Sequence, residues 1–169
     1  DEGDSIREIW TILHHNQTYV PNDNTWTKDN PYIITPSKHK SARANMKLFI
    51  PIAKRPSPYD GPHINLNYRL LRYADVLLMY AEVENALGND VEARGALNTV
   101  RKRVNLSDVT SSGTALRDAI RKERRLELAL ENNRLYDLRR WTDSNGKKAI
   151  QNLMGANGTF VHYNLVEST

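Results

Sequence analysis

The chain has 169 residues, of which 24 are Lys or Arg and 20 are Asp or Glu, so its net charge is +4. It contains no Cys, which excludes disulfide bonds, thiolate metal sites and a cysteine nucleophile. No run of about 18 apolar residues is present, so the sequence predicts no transmembrane helix. All seven prolines lie between Pro21 and Pro62, and this distribution separates an irregular first part of the chain from the remainder.

Residues 1–67 are predicted to form a loop-rich segment with short ordered pieces. The apolar residues within 5–13 are compatible with either a helix or a strand, and residues 46–52 are predicted to form a strand. The stretch 18–40 is polar and interrupted by proline, and its Asn-Asp-Asn run at 22–24 is a turn signal.

Aromatic residues are interspersed in this polar stretch without any apolar pattern. An aromatic ring on a surface loop can stack on the apolar face of a sugar ring while nearby Asn and Asp side chains bond its hydroxyls. Residues 1–67 are therefore a candidate ligand-facing surface. The alternative, which residue type alone favours, is that the rings fasten the loop to the helical layer. The candidate binding residues are Tyr19, Asn22, Asp23, Asn24, Trp26 and Tyr32.

Helical periodicity begins at residue 68. Apolar residues at spacings of three and four predict two consecutive helices, and Gly88 between them is a natural helix end because it adopts a left-handed conformation easily. Thr114 is predicted to cap a third helix that is interrupted at residues 132–133. A fourth helix is predicted over 134–141 and a further one within 147–154, whereas 155–169 is predicted to be loop or strand.

The first two helices match a tetratricopeptide hairpin in length and in the positions of small and large residues. The predicted fold is therefore mainly α, with tetratricopeptide-like helical hairpins and a loop-rich N-terminal third. About three such units are needed for a stable array, and one is visible. One functional alternative is accordingly a stand-alone tetratricopeptide-type module that binds an extended peptide.

The charged stretch 121–140 is the most specific motif. Glu123, Glu127 and Glu131 recur at intervals of four residues, with arginines interleaved. Catalytic or metal-binding glutamates are disfavoured because no Glu-x-x-His spacing accompanies them. Nucleic-acid binding is the second functional alternative, but the interleaved acids argue against it. A solvated face of ion pairs, or arginines buried against carboxylates on other helices, is favoured.

Four ordered segments resemble the C-terminal region of SusD/RagB proteins. These segments are 72–82 (RYADVLLMYAE), 97–103 (LNTVRKR), 120–131 (IRKERRLELALE) and 134–141 (RLYDLRRW). Asp4 to Arg7 is similar to the segment that precedes them in that family. The family pattern has Phe at the position of Leu130, Gly at that of Asn132 and Ala-Gly at 104–105, which are differences in packing and helix ends.

The resemblance implies a role that composition does not. Family members are lipoproteins on the extracellular face of the Gram-negative outer membrane, and they bind glycans or other nutrients for a TonB-dependent porin of the SusC type. They are not enzymes. No cofactor, metal or nucleic-acid partner is expected for this chain. Because members are several times longer, residues 68–169 are expected to be a helical C-terminal region, with the lipid anchor outside this chain. The resemblance also implies a buried ion network that fixes the third and fourth helices against the hairpin, formed by Glu123, Arg124, Glu127, Arg134 and Asp137.

Overall fold

The structure is a computed structural model that describes residues 3–34, 41–60 and 66–154. It divides into two compact units, Asp1–Leu130 and Glu131–Thr169. The elements of the first unit are α1 (Ser5–Thr11), β1 (Ile12–His14), β2 (Arg43–Asn45), a 3₁₀ turn (Ile52–Lys54), α2 (Tyr73–Ala86), α3 (Asp90–Lys102) and α4 (Gly113–Glu127). The second unit contains α5 (Arg134–Arg140) and α6 (Ala149–Met154). The prediction of a mainly helical fold is confirmed.

Helices α2 and α3 form the hairpin that the spacing predicts. Gly88 has a φ of 84°, and the amides of Gly88 and Asn89 donate to the carbonyl oxygens of Asn85 and Glu84. This pair of bonds is a Schellman motif, which satisfies carbonyls at the end of α2 while reversing the chain. Asn105 ends α3 in the same way, with a φ of 58°.

Helix α4 packs across the hairpin and completes the main hydrophobic core. Small residues on α3 allow the helices to approach closely, and large residues fill the space between them. The buried members of this core are Leu78, Ala81, Ala93, Ala96, Leu97, Val100, Leu116 and Ile120. The apolar faces predicted for α2, α3 and α4 therefore meet in one core.

The start of α2 differs from the sequence prediction. The apolar pattern predicts a helix from residue 68, but α2 begins at Tyr73. Leu70, which the pattern places on the buried face, is 86% exposed. Arg72, at the N-cap, is extended, with φ −127° and ψ 153°. Its guanidinium donates to Glu127 of α4, which holds this residue outside the helix. A contact distant in sequence thus overrides the local helical pattern.

The outer face of α2 is apolar as well. Its residues recur at alternating spacings of three and four and are between 40% and 75% exposed: Tyr73, Val76, Tyr80, Val83 and Leu87. Helix α2 is therefore apolar on two sides, which is a pattern typical of a helix between two layers.

The loop-rich segment has its own small core. Strands β1 and β2 pair antiparallel, with Leu13 opposite Ala44, and the buried residues Leu13, Val20 and Met46 pack together. The predicted strand at 46–52 is wrong. The Met46 amide donates to Thr11 O and the Phe49 amide donates to Met46 O, so the chain turns immediately after β2.

The later elements follow the prediction with shifted ends. Helix α4 ends at Glu127, and Leu130 and Asn132 adopt left-handed conformations with φ of 64° at both residues. The loop or strand predicted for 155–169 lies outside the described residues, as do 35–40 of the polar stretch. The assignment of separate roles to 1–67 and 68–169 stays a prediction. Within the described ranges, no helix is long and apolar enough to cross a membrane.

Candidate functional site

The loop that carries the candidate binding residues is closed by backbone bonds. Asn22 adopts a left-handed conformation with a φ of 62°, and the Asp23 amide donates to Val20 O. At the ends of the loop, Gln17 and Tyr32 form an antiparallel bridge. The six candidates therefore lie on one continuous loop between Gln17 and Tyr32.

Trp26 and Tyr32 are half-buried and pack against the small core of the loop-rich segment. Their rings meet edge to face with centroids 4.9 Å apart, and Tyr32 meets Phe49 in the same way at 6.2 Å. This geometry is favourable for aromatic pairs. The rings thus fasten the loop to the β1–β2 region, and only part of each ring faces solvent.

Asp23 differs from its neighbours because it is buried. Its two carboxylate oxygens accept hydrogen bonds from the amides of Thr25, at 3.0 Å, and Ile52, at 2.9 Å. Burial raises the pKa of this carboxyl, but the bonds from Thr25 and Ile52 and the nearby Arg55 outweigh it, so the net pKa is lowered. Asp23 therefore joins the loop to the 3₁₀ turn.

The remaining candidates face solvent. Tyr19 is 63% exposed, and Asn22 and Asn24 are exposed as well. These side chains present one phenol ring and two amides on the same loop, and this combination is suited to a sugar ring and its hydroxyls. Ligand binding by this loop stays a prediction.

The charged stretch builds a different kind of site, in the interior of the first unit. Glu123 is 1% exposed and accepts hydrogen bonds from Arg7 Nη2 of α1 and, at 2.8 Å, from Arg101 Nη1 of α3. Burial alone would lower the pKa of Arg7, but Glu123, Glu127 and Asp4 outweigh it and raise that pKa above its usual value. Arg7 is thus held in its charged form by three carboxylates.

Glu127, at the last position of α4, collects three more arginine contacts. Arg7 Nε lies 2.8 Å and Arg72 Nη1 2.9 Å from its carboxylate, and Arg103 Nη2 lies 2.6 Å from Oε2. The Glu127 carbonyl also accepts from Lys47 Nζ at 2.8 Å. Cations at a helix C-terminus interact favourably with the helix dipole. One residue thereby links α1, the turn after β2, the start of α2 and the end of α3.

The other predicted network residues lie in two places. Arg124 of α4 is buried and donates to Asp75 of α2 at 2.9 Å. Asp137 belongs to α5 in the second unit, where Arg140 Nη2 donates to it at 2.8 Å. Arg134, also in α5, has its guanidinium 5.5 Å from the centroid of the Trp141 ring. Glu123, Arg124 and Glu127 therefore lie on α4 and pair with residues of other elements of the first unit. Arg134 and Asp137 lie in the second unit.

Four arginines of the network were not among the predicted site residues: Arg7, Arg72, Arg101 and Arg103. All four stand within segments that resemble the family, so the signal was present in the sequence. The sequence does not indicate which glutamate each arginine contacts, because the partners are between 22 and 120 residues apart. Arg and Glu at such separations show no periodic relation.

A cavity of about 450 Å³ lies between α1 and α4, lined in part by Glu8, Ile12, Lys122, Leu126 and Ala129. None of the six candidate binding residues lines it. Within the described ranges, no three His, Cys, Asp or Glu residues form a group able to hold a metal ion.

The comparisons with known proteins agree on one family. The sequence profile of the SusD family matches residues 4–169. From Formosa agariphila, SusD-like protein P38 is 41% identical over 83 residues, which are 43% of this chain and 16% of that protein. SusD-like protein P2 of the same organism is 36% identical over 91 residues, which are 48% of this chain and 18% of that protein.

The fold gives the same result. A crystal structure of a SusD-like protein from Bacteroides fragilis matches with a TM-score of 0.64 and 34% sequence identity, over 80% of this chain and 27% of that one. The chain thus spans less than a fifth of the two curated relatives and about a quarter of the solved chain. Because the family profile covers nearly every residue, this chain belongs to the SusD family.

Proposed function

We propose that this protein binds glycans or other nutrients on the extracellular face of the outer membrane and delivers them to a TonB-dependent porin of the SusC type. The observation that carries the proposal is the family match over residues 4–169. Attachment to the membrane through a lipid is part of the same proposal. The match includes the loop-rich segment, which supports nutrient binding over the alternative of a stand-alone tetratricopeptide-type module.

The protein acts without catalysis in this proposal. The carboxylates of Glu123 and Glu127, which are the strongest acid–base candidates in the sequence, are buried and bonded to arginines. A buried carboxylate whose oxygens already accept hydrogen bonds from two or three guanidinium groups is not placed to contact a substrate. Their arrangement supports a structural role.

Glycan contact is assigned to the exposed part of the Gln17–Tyr32 loop. Tyr19 supplies a ring for stacking, and Asn22 and Asn24 supply amides that donate to and accept from sugar hydroxyls. Trp26 and Tyr32 contribute the parts of their half-buried rings that face solvent. Asp23 supports this surface from below by holding the loop on the 3₁₀ turn.

Affinity electrophoresis of the intact protein tests the proposal. Native gels that contain single polysaccharides, one per gel, are expected to retard the protein for at least one polysaccharide. The Tyr19→Ala variant is expected to weaken that binding about threefold to tenfold, as stacking energies predict. Tyr136→Ala is the matched control, since Tyr136 is similarly exposed but lies in α5.

The results separate function from site. Equal migration of the protein in every polysaccharide gel and in a gel without polysaccharide would contradict glycan binding. Retardation that Tyr19→Ala and Tyr136→Ala leave equally unchanged would keep the function and reject the loop as its site. For the porin, the tagged protein extracted from outer membranes with detergent is expected to co-purify with a TonB-dependent porin.

A further inference from the structure

A second aromatic surface lies next to the candidate loop, at the pair Arg55 and Tyr59. The Arg55 guanidinium carbon lies 5.5 Å from the centroid of the Phe49 ring and 5.1 Å from that of Tyr59. The Arg55 Nε donates to Ile50 O at 3.0 Å. The guanidinium is therefore held by two cation–π contacts and one hydrogen bond, so its orientation is fixed.

This pair is continuous with the loop. Phe49 meets Tyr32, and Tyr32 meets Trp26, so three rings lead from the candidate glycan surface to the Arg55 side chain. Those rings pack on the small core of the loop-rich segment. Tyr59 is 50% exposed at the outer end of the series. A rigid support of this kind lowers the ordering cost of binding.

The two terminal nitrogens of the Arg55 guanidinium indicate the kind of ligand. Among the described residues, none accepts a hydrogen bond from its two terminal nitrogens, and none forms an ion pair with it. The nearby carboxylate of Asp23 is already bonded to two backbone amides. Arg55 is half-buried as a residue, and a guanidinium with two such nitrogens can bind a planar or tetrahedral oxyanion through parallel N–H bonds.

The charge of the neighbouring residues also favours an anionic ligand. Residues 41–59 contain four basic residues, Arg43, Lys47, Lys54 and Arg55, and no Asp or Glu, although Asp60 follows directly. A concentration of one sign of charge raises the local concentration of oppositely charged ligands. Lys47 bonds to the Glu127 carbonyl, so the basic residues of this stretch that lie outside the buried network are Arg43, Lys54 and Arg55.

We propose that Arg55 and Tyr59 form a subsite for an acidic sugar, in which Tyr59 stacks on the ring and Arg55 binds its carboxylate or sulfate group. This inference rests on the proposed glycan binding and names the ligand class. Neutral sugars gain the stacking contact alone, so the subsite discriminates by charge.

Calorimetric titration of the intact protein tests the subsite with three probes. These are maltoheptaose, which is neutral, hexagalacturonate, which carries carboxylates, and a κ-carrageenan hexasaccharide, which carries sulfates. At least one acidic probe is expected to bind more tightly than maltoheptaose, and which one binds identifies the anionic group. Arg55→Gln and Tyr59→Ala are each expected to weaken that binding about tenfold or more.

Lys54→Gln is the matched control, because it removes the same charge from the adjacent exposed residue. It is expected to change the affinity less than about twofold, the range of a screened surface charge. Equal losses in Lys54→Gln and Arg55→Gln would overturn the subsite in favour of a diffuse field. A thermal melt of each variant checks that it is folded. Because Tyr59 is exposed, Tyr59→Ala tests the subsite independently of Arg55→Gln.

The remaining outcomes are distinct. Tighter binding of maltoheptaose than of either acidic probe, or acidic binding that Arg55→Gln leaves intact, would overturn the subsite and leave the proposed function standing. Retention in none of the polysaccharide gels, together with no binding of the three probes, would reject the proposed function itself.

Discussion

Arg7 and Glu127 are 120 residues apart in the sequence, yet Arg7 Nε donates to Glu127 Oε2 over 2.8 Å in the interior of the first unit. Both side chains are less than a tenth exposed. Arg7 contacts both Glu123 and Glu127, so it connects α1 to the two successive turns of α4 on which these glutamates lie. The loop-rich segment and the helices are therefore joined by charge as well as by apolar packing.

The first prediction concerns the loss of a charge from this network. Glu127→Gln retains the side-chain volume but removes the charge that faces Arg7, Arg72 and Arg103. Breaking a buried ion pair from one side leaves unpaired charge in the interior, so we expect the free energy of unfolding to fall by about 3–5 kcal/mol. Urea denaturation monitored by circular dichroism measures this change.

Asp118→Asn is the control for that measurement. Asp118 pairs with Arg117 on the surface of α4 at 3.4 Å, with side chains 63% and 35% exposed. Surface ion pairs contribute little, so its removal is expected to change stability by less than about 0.5 kcal/mol. Similar effects for the two substitutions would show that the buried contacts are not a special source of stability.

The network also shows what the sequence predicts well and what it does not. The regular spacing of Glu123 and Glu127 places both on one face of α4, and Gly88 ends α2, because both features depend on residues a few positions apart. The partners of the glutamates are set by the three-dimensional path of the chain. No local pattern links Arg7 to α4.

Contacts between residues distant in sequence also explain the two wrong predictions, the start of α2 and the strand at 46–52. Leu70 and Leu71 extend the helical pattern, but Arg72 is held in an extended conformation by Glu127, so α2 begins later. The apolar stretch after Met46 is typical of a strand, but the Met46 amide is taken by Thr11 O and the chain turns. In the candidate loop, residue type indicated an aromatic surface, whereas the burial of Asp23 depended on the distant amide of Ile52.

The second prediction compares two glycines of the hairpin. An added Cβ would meet nothing within 4 Å at Gly88 or at Gly95, so backbone conformation alone distinguishes them. Gly88→Ala forces alanine into a left-handed conformation and is expected to cost about 1–2 kcal/mol. Gly95→Ala, within α3, is expected to stabilise the protein by about 1 kcal/mol because alanine is the better helix former. Thermal melts that show the same sign for both substitutions would contradict the role assigned to Gly88.

The third prediction separates support from ligand contact in the candidate loop. Trp26→Ala removes a half-buried ring that packs on Tyr32 and the small core, so we expect a loss of about 2–3 kcal/mol in unfolding free energy. Tyr19→Ala removes an exposed ring and is expected to change stability by less than about 0.5 kcal/mol. Chemical denaturation of the two variants checks both values, and a stable Trp26→Ala variant would mean that its ring does not hold the loop.

The fourth prediction concerns pH and the junction between the hairpin and α4. The Asp90 carboxylate accepts hydrogen bonds from the Gly113 amide at 2.7 Å and from Asn85 Nδ2 at 2.8 Å. These bonds favour the charged form and lower the pKa of Asp90 in the folded protein, and the bond from the Gly113 amide has the largest effect. A carboxyl group whose pKa is lowered on folding contributes stability above its unfolded value of about 3.9, and this contribution is lost as the pH falls through the folded value.

Asp90→Asn removes the titrating group and keeps its shape. We therefore expect the wild type to melt at a higher temperature than Asp90→Asn at pH 6, and the difference to shrink steadily as the pH falls from about 5 to 2. Melting curves of both proteins across this range, at one ionic strength, measure the difference directly. Because other carboxyl groups titrate in both proteins alike, their effects cancel in the comparison. A difference that stays constant with pH would show that the Asp90 charge does not stabilise the start of α4.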